Sequence, residues 1–356
     1  MNPTSRIYVA GHRGLVGSAL YRRLQSNGYV NLTARSHSRL NLSVKSDVEE
    51  FFAEEKPEYV LLAAAKVGGI YANYTYPVDF LLGNLNIQNN VIEAAWRTGV
   101  KGLLFLGSSC IYPRDAPQPL KEEYLLTGPL EPTNEAYAIA KIAGIELCKA
   151  YNRQYGTRFL GVMPTNLYGP NDSYDLQTSH ALPALIRKFH LAKLAVLGDF
   201  EGIRRDEACY GKIPNDILAG LEAKRGVVVR LWGTGAPCRE FLHVDDMAEA
   251  CVFLMQRLEE LFSDPCSSVR DRPIINIGCG KDNTIREVAE MVARVAGFDG
   301  TVEWDSSKPD GTPKKLLDVS RMSDLGWKAG ICMEEGLRNT YEDYLRKLAG
   351  SKPCAM

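Results

Sequence analysis

Short runs of apolar residues alternate along the chain with longer stretches in which apolar and polar positions are mixed. The apolar runs predict strands that are buried on both faces, as in parallel sheets, and the mixed stretches predict covering helices. The predicted strands are 7–10, 30–34, 59–65, 102–107, 158–163 and 273–278, and the predicted helices are 18–27, 46–56, 84–98, 137–155, 245–258 and 284–296. This alternation predicts an α/β fold built on a doubly wound parallel sheet of the Rossmann type.

The regular alternation stops after Pro170. Residues 171–178 are polar and irregular, and the segment 193–226 mixes glycines, charges and short apolar pieces. We therefore predict two domains, of which the first is a nucleotide-binding domain of residues 1–170 plus about 235–280. The second is a smaller α/β substrate domain of residues 171–234 plus 281–356.

Composition places the chain among ordinary globular proteins. Its 356 residues are 45% hydrophobic and 24% charged with a net charge of −1, which gives no sign of a nucleic-acid partner. No apolar run reaches the length of a membrane span or of a signal-peptide core, so no membrane association is expected. The nine cysteines include no Cys-x-x-Cys pair, which favours reduced thiols in a cytoplasmic protein without a metal site.

A glycine-rich turn joins the first predicted strand to the first predicted helix. Gly11, Gly14 and Gly17 follow the spacing Gly-x-x-Gly-x-x-Gly. In a dinucleotide site the first glycine permits a tight turn, the second lets the backbone approach a pyrophosphate, and the third allows close packing of helix on strand. The alternative is a tight turn without a ligand, but the strand–turn–helix context favours a dinucleotide site.

The end of the second predicted strand carries cations in place of an acidic residue. A NAD site would place Asp or Glu there to hold the ribose 2′-hydroxyl, whereas this chain has Arg35, with Arg13 in the glycine loop. Cations without a carboxylate suit a 2′-phosphate, and we therefore expect NADP(H) as the cofactor. The alternative is that Arg35 is a solvated loop charge.

Candidate catalytic residues follow the fourth predicted strand and lie on the next helix. Ser108 and Cys110 stand directly after the strand, and Tyr137 and Lys141 share one helix face. A nearby ammonium favours the phenolate and lowers the pKa of a phenol, so Tyr137 is a candidate general acid or base. An isolated Tyr-x-x-x-Lys pair is more often an exposed helix face, and Cys110 is equally well read as a small buried residue. His180 gains weight because it begins a helix in the predicted substrate segment.

Seven longer motifs carry a resemblance to a known family. They are GHRGLVGSA (11–19), LAAAKVGGI (62–70), FLGSSCIYP (105–113), EPTNEAYAIAKIAG (131–144), MPTNLYGP (163–170), REFLHVDDMA (239–248) and SKPDGTPKKLLDV (307–319). They span nearly the whole chain and together resemble the extended short-chain dehydrogenase/reductase family, in particular its members that act on a GDP-linked 4-keto sugar. GSSCIYP combined with SKPDGTP is the most specific part of this resemblance.

The resemblance implies an activity and a role for each candidate. The activity is NADPH-dependent epimerisation of GDP-4-keto-6-deoxy-D-mannose at C3 and C5, followed by reduction at C4 to give GDP-L-fucose. By resemblance, Ser108 and Tyr137 polarise the C4 oxygen, and Lys141 lowers the pKa of Tyr137 and holds the nicotinamide ribose. Cys110 resembles the epimerisation base and His180 the acid on the opposite sugar face, as inversion of a carbon centre requires.

The resemblance further implies binding residues and a partner. The expected NADP(H) contacts are Gly11, His12, Arg13, Gly14, Leu15, Val16, Gly17, Arg35, Asn41, Leu42, Leu106, Gly107, Ser108, Ser109, Lys141, Pro164, Thr165, Asn166, Leu167 and His180. The expected contacts with the GDP-sugar substrate are Lys188, Trp232, Arg239 and Asp310. A homodimer is implied, paired through helices such as 84–98 and 137–155. The segment 193–226 looks longer than is usual in the family, and we expect it to form a lid or a surface insert.

Three alternatives stay open at this point. The chain is also compatible with another NADP-dependent nucleotide-sugar epimerase or reductase that has the same core. A 4,6-dehydratase is disfavoured, because such enzymes place an acidic pair where Ser109 and Cys110 stand here. A cofactor-sensing protein that has lost turnover is disfavoured as well, since Ser108 and the Tyr-x-x-x-Lys pair are intact.

Overall fold

The computed structural model describes residues 1–222, 226–265, 267–308 and 310–350. Three parts of the sequence predictions fall outside these ranges. They are residues 223–225 of the expected insert, Pro309 of the SKPDGTP motif, and residues 351–356 at the end of the predicted substrate domain.

Strands and helices alternate through the first half of the chain and mix less regularly afterwards. The strands are β1 (Ile7–Ala10), β2 (Leu32–Thr33), β3 (Tyr59–Leu62), β4 (Gly102–Leu106), β5 (Phe159–Pro164), β6 (Asn166–Tyr168), β7 (Val228–Trp232), β8 (Cys238–His243), β9 (Ile274–Ile277), β10 (Asp282–Thr284), β11 (Thr301–Asp305) and β12 (Lys314–Lys315). The longer helices are α1 (Leu15–Ser26), α2 (Lys45–Glu55), α3 (Ile70–Thr75), α4 (Pro77–Arg97), α5 (Glu135–Tyr155), α6 (Ala181–Val196), α7 (Phe200–Tyr210), α8 (Asn215–Leu221), α9 (Val244–Gln256), α10 (Leu258–Ser263), α11 (Ser268–Asp271), α12 (Ile285–Ala296), α13 (Ser320–Asp324) and α14 (Met333–Gly350). One-turn 3₁₀ helices cover Ser109–Ile111, Glu122–Tyr124 and Pro132–Asn134.

The central element is a six-stranded sheet with the order β2-β1-β3-β4-β5-β9, in which all neighbours are parallel. Side chains alternate across it, as the period of two along a strand requires. Ile7 and Val9 of β1 pack in a core with α1 and α9, whereas Tyr8 and Ala10 pack in a second core with α2, α4 and α5. The predicted parallel sheet with helices on both faces is confirmed.

The remaining strands form small sheets beside this one. β8 pairs with β10, β12 and β6, and β11 pairs with β7. A third buried core lies here, and it includes Phe189 of α6, Val288 of α12 and Tyr344 of α14. This separate core is consistent with a second domain, but the predicted domain limits stay a prediction.

Element boundaries differ from the sequence predictions at several points. The second strand is only Leu32–Thr33, and Val30, which we placed within it, is 72% exposed. The helix predicted to begin at residue 84 begins at Pro77, where proline fits because the first helical position needs no N–H donor. Two segments without a predicted strand, Asn166–Tyr168 and Cys238–His243, pair with each other as parallel strands.

The described part of the segment 193–226, for which we expect a lid or a surface insert, is helical and packed. α6 extends into it as far as Val196, and α7 and α8 follow. Ile203, Ile213 and Leu221 are buried in the third core. Among the described residues, no helix combines the length and the apolar character needed to cross a membrane.

Candidate active site

The glycine-rich turn has the close packing that its spacing predicts. Gly11 has φ +83°, and its carbonyl accepts a hydrogen bond of 3.0 Å from the Gly14 N–H. A Cβ on Gly17 would lie 2.1 Å from the Gly11 oxygen, so only glycine fits at that position. α1 then begins without a side-chain cap and without an acidic residue in its first turn. Its first N–H groups and the positive end of its dipole are therefore available to an anion.

His12 gives a second indication that this turn suits a dinucleotide phosphate. Its Nδ1 atom is buried and has no hydrogen-bond partner among the described residues. Burial, reinforced by the Arg13 charge, lowers the pKa of His12 and keeps the ring neutral. A buried polar atom without a partner is costly, and a phosphate or ribose group would satisfy it. The residues of the turn thus fit the NADP(H) expectation.

Arg35 is held in place by a carboxylate that we did not anticipate. Its Nη2 forms an ion pair with Glu55, the last residue of α2, and its Nη1 donates to the Ala34 carbonyl at 3.1 Å. The guanidinium also lies 5.9 Å from the ring centre of Phe51. Arg35 is therefore a half-buried cation with a carboxylate partner. Glu55 supplies this carboxylate from α2, about twenty positions further along the sequence.

Several other predicted cofactor residues are fixed by the core or by main-chain contacts. Leu42 and Leu106 are buried in the two cores that flank the sheet. Thr165 Oγ1 and Asn166 Nδ2 both donate to the Glu240 carbonyl, at 3.1 and 2.8 Å. These contacts fix the backbone at the carboxyl ends of β4 and β5, where ligands of open parallel sheets bind.

Tyr137 and Lys141 lie on α5 beside the end of β4, as the sequence predicts. Lys141 is 3% exposed, donates to the Leu106 carbonyl at 2.7 Å, and lies 5.7 Å from the Tyr137 ring centre. A hydrogen bond with the Ser108 side chain favours the Tyr137 phenolate, and Phe80 meets the phenol ring edge to face. The structure therefore brings Ser108, Tyr137 and Lys141 together.

Burial controls the ionisation of this pair more than their mutual charge does. It raises the pKa of Tyr137, with the Cys110 sulfur adding to the rise and the Ser108 hydrogen bond opposing it. Burial also lowers the pKa of Lys141 to about 7. We had expected Lys141 to lower the pKa of Tyr137. In this protein the phenol is neutral, and its proton is available to a substrate oxygen.

Cys110 has two partners that the sequence did not identify. Its Sγ accepts hydrogen bonds from Asn134 Nδ2 at 3.2 Å and from Lys315 Nζ at 3.5 Å. Cys110 is half-buried, so the alternative of an inert core cysteine does not fit. The Pro-Thr-Asn loop before α5 and the basic turn near residue 315 were the available sequence signals for these partners.

His180 directly precedes α6, on a loop that approaches the Gly-Gly turn after β3. The Gly69 N–H donates to the Thr178 carbonyl at 2.9 Å, and Ser179 Oγ is buried without a partner among the described residues. Desolvation lowers the pKa of His180, which favours the neutral imidazole. An acid role therefore requires that His180 gain a proton or an anionic neighbour when substrate binds.

The predicted substrate contact Arg239 is linked to Cys110 through the pairing of β8 with β12. Lys315 pairs with Arg239 between β12 and β8. Asp310 accepts hydrogen bonds of 2.7 and 2.8 Å from the main chain and hydroxyl of Thr234, next to the turn that follows Trp232. Trp232 is 62% exposed, so its indole is accessible. Lys188 lies on α6, which packs against β7, the strand that ends at Trp232.

Comparisons with known proteins agree over nearly the whole length. The NAD dependent epimerase/dehydratase family matches residues 7–206 and 201–278. GDP-L-fucose synthase 1 of Arabidopsis thaliana is 52% identical over 345 residues, which cover 97% of this chain and 94% of that protein. GDP-L-fucose synthase of Escherichia coli strain K12 is 49% identical over 340 residues, covering 96% of each chain.

A solved structure of another GDP-sugar enzyme also matches over nearly the whole chain. It is the GDP-D-glycero-L-gluco-heptose synthase of Campylobacter jejuni in the presence of NADPH. It superposes with a TM-score of 0.87 at 40% identity, covering 97% of this chain and 99% of that one.

Proposed function

The chain belongs to the NAD dependent epimerase/dehydratase family, and we propose that it converts GDP-4-keto-6-deoxy-D-mannose into GDP-L-fucose with NADPH. The observation that carries this function is the pairing of two chemistries in one site. Cys110, with its amide and ammonium partners, suits proton abstraction, and Tyr137, with Ser108 and Lys141, suits proton donation to a carbonyl oxygen. The first serves epimerisation and the second serves reduction.

Epimerisation uses the acidity that the C4 ketone gives to the C3 and C5 protons. The Cys110 thiolate takes a proton from the carbon, and the electron pair moves to the C4 oxygen, where Ser108 and Tyr137 donate hydrogen bonds. His180, in its protonated form, returns a proton to the opposite face of the carbon. The Lys315 ammonium and the Asn134 amide hold the Cys110 sulfur in place through their hydrogen bonds.

Reduction uses the other half of the site. Bound NADPH supplies the hydride that C4 accepts. Tyr137 gives its phenolic proton to the C4 oxygen, which becomes the hydroxyl of the product. Lys141, fixed by the Leu106 carbonyl, places its ammonium beside the Tyr137 ring and stabilises the phenolate that remains.

Binding is divided between the two ends of the site. The glycine turn and the uncapped start of α1 hold the cofactor phosphates, and Arg35, fixed by Glu55, faces the ribose 2′-phosphate. Lys188, Arg239, Trp232 and Asp310 hold the GDP-sugar. Cations suit its diphosphate, and the exposed Trp232 ring suits stacking on a flat group. The enzyme works in the cytoplasm as a homodimer, and its described cysteines are all free thiols, which fits a reducing compartment.

The test is NADPH consumption with GDP-4-keto-6-deoxy-D-mannose, with NADH run in parallel. We expect rapid consumption with NADPH, slow consumption with NADH, and a product that co-migrates with GDP-L-fucose. Binding of NADPH without consumption would reject this substrate.

A second candidate is reduction of another GDP-linked keto-sugar. It is favoured by the 40% identity to a GDP-heptose synthase over nearly the full chain. A GDP-linked 4-keto-heptose assayed beside the 6-deoxy sugar separates the two candidates, since the preferred substrate has the higher kcat/KM.

A further inference from the structure

A fully buried ion pair fixes helix α6 to helix α7. His180 precedes this helix, and Lys188 lies about two turns further along it. Arg187, the neighbour of Lys188, has 0% exposure, and so has its partner Asp206 of α7. Arg187 Nε lies 2.7 Å from Asp206 Oδ1. A buried pair of charges is costly to desolvate and persists only where its remaining hydrogen bonds are satisfied.

Those hydrogen bonds join three parts of the chain. Arg187 Nη1 donates to the carbonyls of Tyr174 and Tyr210 at 3.0 and 2.9 Å, and its Nη2 donates to the Gly211 carbonyl. Tyr210 and Gly211 end α7, so the guanidinium meets the negative end of that helix dipole. Tyr174 lies in the loop that leads to His180. One side chain thus fixes α6, α7 and this loop to one another.

The last helix, α14, completes the network. The Tyr344 hydroxyl donates to the second oxygen of Asp206, and its ring stacks on Tyr210 with 4.8 Å between the centroids. His190 Nδ1 and the Tyr341 hydroxyl form a buried hydrogen bond of 2.8 Å close by. Both oxygens of Asp206 therefore accept hydrogen bonds from side chains, which leaves α6 little freedom to shift against α7 and α14.

A second link runs from α8 to Lys188. The Asp216 carboxylate, near the start of α8, raises the pKa of Lys188, whereas burial, the larger effect, lowers it. The segment therefore brings a counter-charge close to a residue that we assign to the substrate diphosphate. Both α7 and α8 pack against α6.

We propose that α7 and α8 are a working part of the substrate site. Arg187 and Asp206 are positioning residues, which hold α6 so that His180 and Lys188 meet the GDP-sugar in the correct geometry. The inference rests on the proposed function, since that function supplies the roles of His180 and Lys188. The inference assigns a function to the segment 193–226, which contains α7 and α8. These helices fix α6, the helix that binds substrate.

The test separates positioning from stability. Replacing a buried ion pair by apolar residues is often neutral for stability, so the double variant Arg187→Met with Asp206→Leu is expected to fold while losing every link to Tyr174, Tyr210 and Gly211. Tyr344→Phe is a milder variant that removes one hydrogen bond from Asp206. Glu201→Ala is the matched control, because this residue lies on the solvent face of α7 with 72% of its side chain exposed.

Three quantities are measured on the folded variants, well below their unfolding temperatures. They are the Kd for GDP alone by calorimetry, the exchange of the sugar C3 and C5 protons with solvent, and the Kd for NADPH. We expect GDP to bind about tenfold more weakly and exchange to slow about tenfold in the double variant, with smaller losses in Tyr344→Phe. NADPH affinity and the Glu201→Ala control are expected to match the wild type.

Wild-type GDP affinity and exchange in the folded double variant would overturn the inference. If that variant does not fold, the same result in Tyr344→Phe would overturn it. A wild-type protein that binds GDP but does not turn over GDP-4-keto-6-deoxy-D-mannose would instead count against the proposed function. GDP binding by the variants still tests the positioning role in that case.

Discussion

At the scale of single residues, the site separates two proton-transfer tasks by environment. Tyr137 is enclosed and neutral, because burial raises the pKa of its phenol. Cys110 is half-buried, and its sulfur accepts hydrogen bonds from the Lys315 ammonium and the Asn134 amide. Reduction requires a proton donor to the carbonyl oxygen, which is Tyr137. Epimerisation requires a base that takes a proton from carbon, which is Cys110.

This separation predicts different defects for two conservative substitutions. Cys110→Ser removes the base, so we expect exchange of the C3 and C5 protons with solvent to fall at least about 100-fold. Tyr137→Phe removes the proton donor, so we expect reduction to fall by a similar factor while exchange persists. Exchange is followed by NMR in deuterated buffer and reduction by NADPH absorbance. Cys332→Ser, at an exposed position, is the control, and rapid exchange in Cys110→Ser would contradict the assignment.

The buried ammonium of Lys141 predicts a pH-dependent stability. Its pKa is 10.5 in the unfolded chain and about 7 in the folded protein, so the unfolded chain binds more protons between these values. The free energy of unfolding of the wild type therefore rises with pH across this window. Below the window, the full cost of burying the charged Lys141 is present. Lys141→Met should raise the unfolding temperature more at about pH 6 than at about pH 9, although it abolishes reduction. Lys149→Met, with its exposed side chain, is the control, and an equal effect at both pH values would refute the buried charge.

At the scale of elements, the β1–α1 turn shows two uses of glycine that the sequence spacing does not distinguish. A Cβ on Gly17 would lie 2.1 Å from the Gly11 carbonyl oxygen, which neither the strand nor the helix can avoid. A Cβ on Gly14 would meet that oxygen at 3.5 Å, an ordinary contact. Gly17 is therefore required for packing, whereas Gly14 leaves space in front of the helix.

The two positions should respond differently to alanine. Gly17→Ala is expected to cost several kcal/mol of unfolding free energy, on the order of 3, because the backbone must move. Gly14→Ala should cost about 1 kcal/mol at most, as for a changed helix cap, yet weaken NADPH binding at least about tenfold. Denaturant unfolding and fluorescence titration with NADPH measure the two effects. If Gly14→Ala binds NADPH normally, this turn does not approach the cofactor.

At the scale of the whole molecule, α4 and α5 carry exposed apolar side chains on the outside of the sheet domain. Val78 and Leu82 of α4 are 68% and 54% exposed, and Ile139 on the neighbouring α5 is 44% exposed. α4 and α5 pack against each other, so these side chains extend along one pair of helices. Apolar stripes of this kind are typical of association surfaces, and a second copy of the chain is the partner that we propose.

The dimer is tested by charge at this stripe. Leu82→Glu with Ile139→Glu is expected to convert a dimer into a monomer, because like charges would face each other across a two-fold axis. Light scattering coupled to size exclusion measures the mass, and the unfolding temperature is recorded in parallel. Val196→Glu, at an exposed apolar position on α6, is the matched control. A wild-type monomer, or a dimer that survives both charges, would contradict the pairing.

The sequence by itself determined the features that depend on local order. Buried strands, amphipathic helices and the glycine spacing follow from neighbouring residues, and so do Tyr137 and Lys141 on one face of a helix. The six-stranded sheet and the position of these residues at its edge followed from that pattern. Ser108 and Cys110 were predicted because they directly follow a strand, where ligands of parallel sheets bind.

Only the tertiary structure decided which distant residues share a contact. Glu55 holds Arg35, Lys315 reaches Cys110 across 205 positions, and Asp206 satisfies Arg187 in the core. It also decided that burial outweighs the Lys141 charge in setting the pKa of Tyr137. Desolvation and through-space contacts depend on the packing of elements that are far apart in the chain, and no local pattern of residues encodes them.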